Sequence, residues 1–161
     1  MRYDADLVNY DKSVDLAVLN IRSRQSFPYL TFENSFNKRV GDFVIAVGNP
    51  LGQHSTVTHG IISAFRLEED LNAEKPAVGR FLQTDALING GNSGGPLCTL
   101  DGSVVGVTTF GIDNSLNPVG IPNVDILVSS GIAYAIPSEI AKPVVERLAK
   151  CKLKNGECIV T

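Results

Sequence analysis

No tryptophan occurs in this chain, and it holds only one methionine, two histidines and three cysteines among 161 residues. Three cysteines cannot all pair, so a small scaffold built on a complete disulfide framework is excluded. The two histidines, His54 and His59, lie five residues apart with no metal-ligand cluster around them, and no phosphate-binding glycine loop is present. No cofactor and no metal are therefore expected. Charged side chains make up only 19% of the chain, the formal net charge is −3, and there is no basic run before the C-terminal region. That balance argues against nucleic acid as a partner. Apolar runs stay well short of the ~20 residues a membrane-spanning helix needs, and Met1-Arg2-Tyr3-Asp4 lacks the pattern of a signal peptide. No membrane is expected, and the chain as written carries no cellular address.

What is present is apolar surface and turn chemistry. Hydrophobic residues account for 43% of the chain, alongside 15 glycines and 8 prolines, enough for one globular unit burying roughly 70% of its unfolded surface. Short apolar runs, rich in β-branched residues, recur at 16–21, 43–47, 56–62, 81–84, 104–108 and 132–136, with glycine-containing turns between them. That rhythm predicts an all-β barrel or sandwich. The end alone reads as helix: Ser138 is placed as its N-cap, and Ile140, Val144, Val145 and Leu148 follow at helical spacing. Pro143 sits early in that helix. The polar stretches 66–80 and 113–125 read as long surface loops. Cys98, in an apolar run, reads as a small buried hydrophobe. Cys151 and Cys158 flank an Asn155-Gly156 hairpin signal, which leaves a bridge and two reduced thiols equally open.

Chemistry concentrates in Gly90-Gly91-Asn92-Ser93-Gly94-Gly95-Pro96-Leu97. Glycines on both sides of a serine let the backbone turn tightly and approach a substrate carbonyl. Such a turn exposes the hydroxyl and can aim the Gly91 and Ser93 amides at one point, where they would hold the charge of a tetrahedral intermediate.

Asn92-Ser93-Gly94-Gly95-Pro96-Leu97 resembles the nucleophile motif of the chymotrypsin-fold serine proteases in its HtrA form. Five further segments match that family in order: Val14-Asp15-Leu16-Ala17-Val18-Leu19, the run from Gly41 to Pro50, Thr56-Val57-Thr58-His59-Gly60-Ile61-Ile62-Ser63, Phe81-Leu82-Gln83-Thr84-Asp85-Ala86, and Gly131 to Pro137. The resemblance covers about residues 3–148, and the wording around Asp101-Gly102 and 128–138 is similar to the animal-type HtrA proteins. It implies a chymotrypsin-like double β-barrel with the first barrel incomplete, plus a C-terminal helix. Residues 1–37 would be the remaining part of the N-terminal barrel, 38–136 the second barrel, and 137–161 the helix and tail, with no PDZ domain. Ser93 would be the nucleophile, Asp15 the carboxylate that orients the base, and Gly91, Asn92 and Ser93 the oxyanion hole. Leu87 and Ile88 on one wall, with Val107, Thr108, Thr109 and Phe110 on the other, would form an apolar substrate pocket. Gly90 departs from the family, where many relatives carry a bulkier residue.

The family's catalytic histidine falls upstream of Met1 in this numbering, and neither His54 nor His59 aligns with it. A triad serine without its base loses on the order of 10⁶ in turnover. Three readings stay open: a truncated piece of a working enzyme, a two-chain enzyme completed by added strands, and a pseudoprotease that binds peptide as a chaperone-like module. The resemblance further implies quality-control proteolysis of unfolded polypeptides, and a homotrimer where the full-length N-terminus is present.

Overall fold

A computed structural model describes residues 3–50, 56–71, 77–113, 129–154 and 157–160, with side chains for all of these except 110–113, 129–130 and those after 150. Six strands close into a barrel: β3 (Phe43–Gly48), β4 (Thr56–Leu67), β5 (Arg80–Thr84), β6 (Pro96–Cys98), β7 (Val104–Asp113) and β8 (Ser129–Pro137), in the order β3-β4-β5-β8-β7-β6. Every neighbouring pair is antiparallel. Closure leaves no free strand edge in this barrel.

Strand period two explains how one run serves two cores. In β5, Leu82 points into the barrel with Val44, Ala46, Ile62, Leu97 and Val105, while its neighbour Phe81 points outward into a second cluster. In β8, Ala133 and Ala135 face the interior, and Tyr134 and Ile136 face outward. Small residues on the inner face let the barrel close tightly, and the outward side chains meet Leu16, Val78 and Ala141. Burying each large side chain of this kind contributes roughly 1.5–3 kcal/mol.

Ahead of the barrel, β1 (Ala5–Asp11) and β2 (Leu16–Ile21) form a two-stranded antiparallel sheet. Leu16 joins the second cluster, but Leu7, Tyr10, Leu19 and Ile21 are 45–62% exposed. This is a chymotrypsin-like pair of barrels with the first incomplete, as the resemblance implies. The linker between them docks through Glu33 N–H to Val104 O and Val104 N–H to Thr31 O. Helix α1 (Ser138–Ala149) packs over both parts, burying Ala141 and Leu148.

Some local expectations differ from the structure. Strand β4 continues through Leu67 into the stretch read as loop, and a single 3₁₀ turn follows at Glu68–Asp70; residues 72–76 and 114–128 lie outside the described residues. Pro137, not Ser138, occupies the N-cap of α1. The Ser138 hydroxyl instead donates to Glu33 O and accepts from Ser35 N–H at 3.2 Å, tying the helix start to the linker. A hairpin of β9 (Cys151–Lys154) and β10 (Glu157–Val160) ends the chain, with Cys151 opposite Val160 and Cys158 opposite Leu153. The state of those two thiols falls on side chains outside the described set.

Candidate active site

Two glycines with positive φ, Gly91 at 103° and Gly94 at 84°, bend the chain on either side of Asn92-Ser93. A side chain at 91 would meet Asn49 O at 2.6 Å and Pro50 Cα at 2.9 Å, so glycine is needed there for space as well as for backbone conformation. The turn is held from below by Gly94 N–H to Thr108 O at 2.8 Å and Thr108 N–H to Gly95 O at 2.9 Å. The buried Thr108 hydroxyl adds a bond to Asn92 O at 2.5 Å. Ser93 is left exposed on top. Among the described residues, neither the Gly91 nor the Ser93 amide has an acceptor.

Thr109 joins the two sequence-predicted catalytic residues. The register of β7 on β8 shifts between Thr108, opposite Ala135, and Phe110, opposite Tyr134, so Thr109 is the extra residue of a bulge. A bulged residue leaves the ladder with its backbone groups unused. Here its carbonyl accepts the Ser93 hydroxyl at 2.8 Å, and its own hydroxyl donates to Asp15 Oδ2 at 3.4 Å.

Asp15 is the one non-glycine residue with positive φ, 56°, among the described residues. That conformation costs an L-residue roughly 1–2 kcal/mol, less for Asp and Asn, and its surroundings enforce it. Ser13 O accepts Ala77 N–H at 2.6 Å. Asp11 takes the Ser13 hydroxyl at 2.6 Å and amide at 3.0 Å, and pairs with Arg147 of α1 at 2.5 Å. The Ser13 hydroxyl, then the Arg147 guanidinium, hold the Asp11 carboxyl below the usual carboxylate range.

The remaining expected site residues divide between surface and core. Leu87 is 44% exposed beside the turn, and its carbonyl accepts the Thr58 hydroxyl at 2.9 Å. Ile88 is buried in the barrel core, and Val107 packs on the outer cluster. Phe110 lies on β7, with its side chain outside the described residues. His59, exposed on β4, stands opposite Ile45; His54 lies outside the described residues. The sequence reading missed the joining role of Thr109. Its only trace there is a Thr-Thr pair interrupting an apolar strand.

Comparison with known proteins places these features in a lineage. The family described as "Trypsin-like peptidase domain" matches residues 1–107. A probable periplasmic serine endoprotease DegP-like of Rickettsia conorii is 44% identical over 159 residues, 98% of this chain and 29% of that protein. A protein of the same description from Chlamydia pneumoniae is 42% identical over 149 residues, 92% of this chain and 28% of its own length. The chain thus spans less than a third of these curated relatives. Among solved structures, the HtrA-type protease AlgW with decapeptide superposes with a TM-score of 0.76 at 37% identity, over 91% of this chain and 40% of that one. AlgW with tripeptide gives the same TM-score and identity over 91% and 44%.

Proposed function

The chain belongs to the trypsin-like peptidases, in their HtrA branch, and from that premise we propose that it cleaves polypeptides through an acyl-enzyme formed on Ser93. The carrying observation is the exposed Ser93 hydroxyl, joined through Thr109 to Asp15, beside the Gly91 and Ser93 amides, which have no acceptor among the described residues. In this reading a substrate carbonyl lies between the Gly91 and Ser93 amides, and Ser93 Oγ attacks its carbon. A histidine takes the hydroxyl proton and hands it to the departing amine, while Asp15 orients that histidine from the far side. Thr109 O is where the hydroxyl rests before a base engages it.

The base is supplied from upstream of Met1, where the resemblance puts it. Residues 1–37 then complete their barrel with that upstream part, 38–136 carry the nucleophile, and 137–161 brace both. Leu87, exposed beside the nucleophile turn, favours an aliphatic residue on the acyl side of the cut. Substrates are unfolded or extended polypeptides, as in protein quality control, and where the full-length N-terminus is present the protein forms a homotrimer.

A second reading draws on one observation: the Ser93 hydroxyl is held by a carbonyl rather than a base. In that reading the chain binds peptide without cutting it. A polypeptide that includes the upstream histidine should digest a reduced, unfolded protein, with Ser93→Ala abolishing cleavage. Equal digestion by both would remove the acyl-enzyme reading, and peptide binding with no cleavage would favour the second.

A further inference from the structure

Asn92 lies between the Gly91 and Ser93 amides, which have no acceptor among the described residues, and is 2% exposed. Its backbone is fully engaged: its N–H donates to Asn89 O at 3.0 Å, and its carbonyl accepts Gly95 N–H at 2.9 Å and the Thr108 hydroxyl at 2.5 Å. Among the described residues the side chain has one polar contact, Nδ2–H to Leu87 O at 3.4 Å, and Oδ1 is buried with no partner. It faces Gly48, where a Cβ would overlap Oδ1 and come within 2.7 Å of Asn92 Cα and Cγ. The amide thus fills a slot that only glycine at 48 leaves open, and there it offers a neutral donor to the Leu87 carbonyl.

We infer that Asn92 is a positioning residue: its side-chain N–H ties the nucleophile turn to Leu87, and this tie sets the direction of the Gly91 and Ser93 amides. The inference rests on the reading of those amides as an oxyanion site. It extends that reading by assigning the work to a donor and not to the shape of the side chain. An ionised aspartate has nearly the same shape but presents only acceptors, so in this slot it would meet the Leu87 carbonyl lone pair to lone pair. Burial without a cationic partner raises a carboxyl's pKa. Asn92→Asp should therefore behave as the native strut while protonated and lose it as pH rises through that raised pKa.

The test uses the 161-residue chain and amide NMR spectra from pH 6 to 8.5 for wild type, Asn92→Asp, Asn92→Ala and Gly48→Ala. In Asn92→Asp, the Gly91, Asn92 and Ser93 amides should move back towards wild-type positions in a single titration as pH falls. In Asn92→Ala they should stay displaced throughout, and in Gly48→Ala, where the amide is pushed from the other side, likewise. Wild-type amide positions in Asn92→Ala or Gly48→Ala would overturn the inference. So would an Asn92→Asp displacement that does not reverse at low pH. Should Asn92→Asp fail to fold, Asn92→Ala, which removes the donor and leaves the backbone contacts with Gly48 in place, decides instead.

A peptide boronic acid with an aliphatic terminal residue separates this result from the underlying reading. Ser93 Oγ adds to boron, and its proton passes to solvent. In the upstream-extended polypeptide, which carries the base, wild type should form the tetrahedral adduct, with Asn92→Asp at least about tenfold weaker at pH 8.5 and recovering towards pH 6. No adduct in wild type would count against Ser93 as nucleophile, while the amide titration would still judge the strut.

Discussion

Substituting alanine at Gly91 and, separately, at Gly94 separates backbone strain from steric overlap within one turn. Both glycines have positive φ, so each alanine pays roughly 1–2 kcal/mol for a conformation that a Cβ disfavours. At 94 nothing lies within 4 Å of the new Cβ, and strain is the whole effect. At 91 the Cβ meets two backbone atoms of Asn49-Pro50, neither of which can rotate away. Pushing them apart costs about 1–3 kcal/mol as overpacking, and it stretches the 3.2 Å bond from Asn49 N–H to Gly91 O, worth about 1 kcal/mol. Gly91→Ala should then lose about 3–6 kcal/mol against about 1–2 for Gly94→Ala. For a chain of this length 1 kcal/mol is about 2–4 °C in Tm. Thermal unfolding followed by circular dichroism should show a Gly94→Ala shift of about 2–8 °C and a Gly91→Ala shift at least twice as large. Equal shifts would refute the claim that the Asn49-Pro50 backbone closes over the turn.

Three further outcomes follow from the site and its supports. The Asp11 carboxyl is held low by Ser13 and Arg147; its contribution is present above the ordinary carboxylate pKa and lost as pH falls through the depressed value. Asp11→Asn should therefore flatten the acid side of the stability profile below about pH 4, measured by urea unfolding at a series of pH values. Cys98 is buried and its thiol pKa is raised by that burial, so alkylation by iodoacetamide at neutral pH should wait for unfolding, and mass spectrometry of native and urea-treated protein should show the contrast. At Asp15, whose φ is 56°, Asn should be tolerated in Tm within about 1 kcal/mol while Val, β-branched, should lose more than 2 kcal/mol.

How far the sequence speaks depends on how local the cause is. Strands β3, β5 and β8 are readable because one or both faces bury apolar residues at period two, as Phe81 and Leu82 do from adjacent positions, while β2 is readable from its apolar run although only Leu16 in it is buried. Strand β1 is hidden in the sequence because Asp6, Asn9 and Asp11 break up its apolar residues, and because its outward face is exposed. Strand β6, three residues beginning at Pro96, is shorter than any periodic signal. Ser93 and Asp15 stood out because their neighbours are distinctive at short range. The part of Thr109 was not readable, since it arises from a one-residue bulge in the pairing of β7 with β8, and that depends on partners some 25 residues away. The slot that Gly48 opens for Asn92 is equally non-local, a contact between residues 44 positions apart.

The measurement closest to the central claim is covalent labelling of the upstream-extended polypeptide with a fluorophosphonate, followed by peptide mapping. A single adduct on Ser93, absent from Ser93→Ala and strongly slowed in Asp15→Asn, is the expected result. A fully folded, histidine-containing polypeptide that takes no label, or takes it at another residue, would contradict the assignment of Ser93 as the nucleophile.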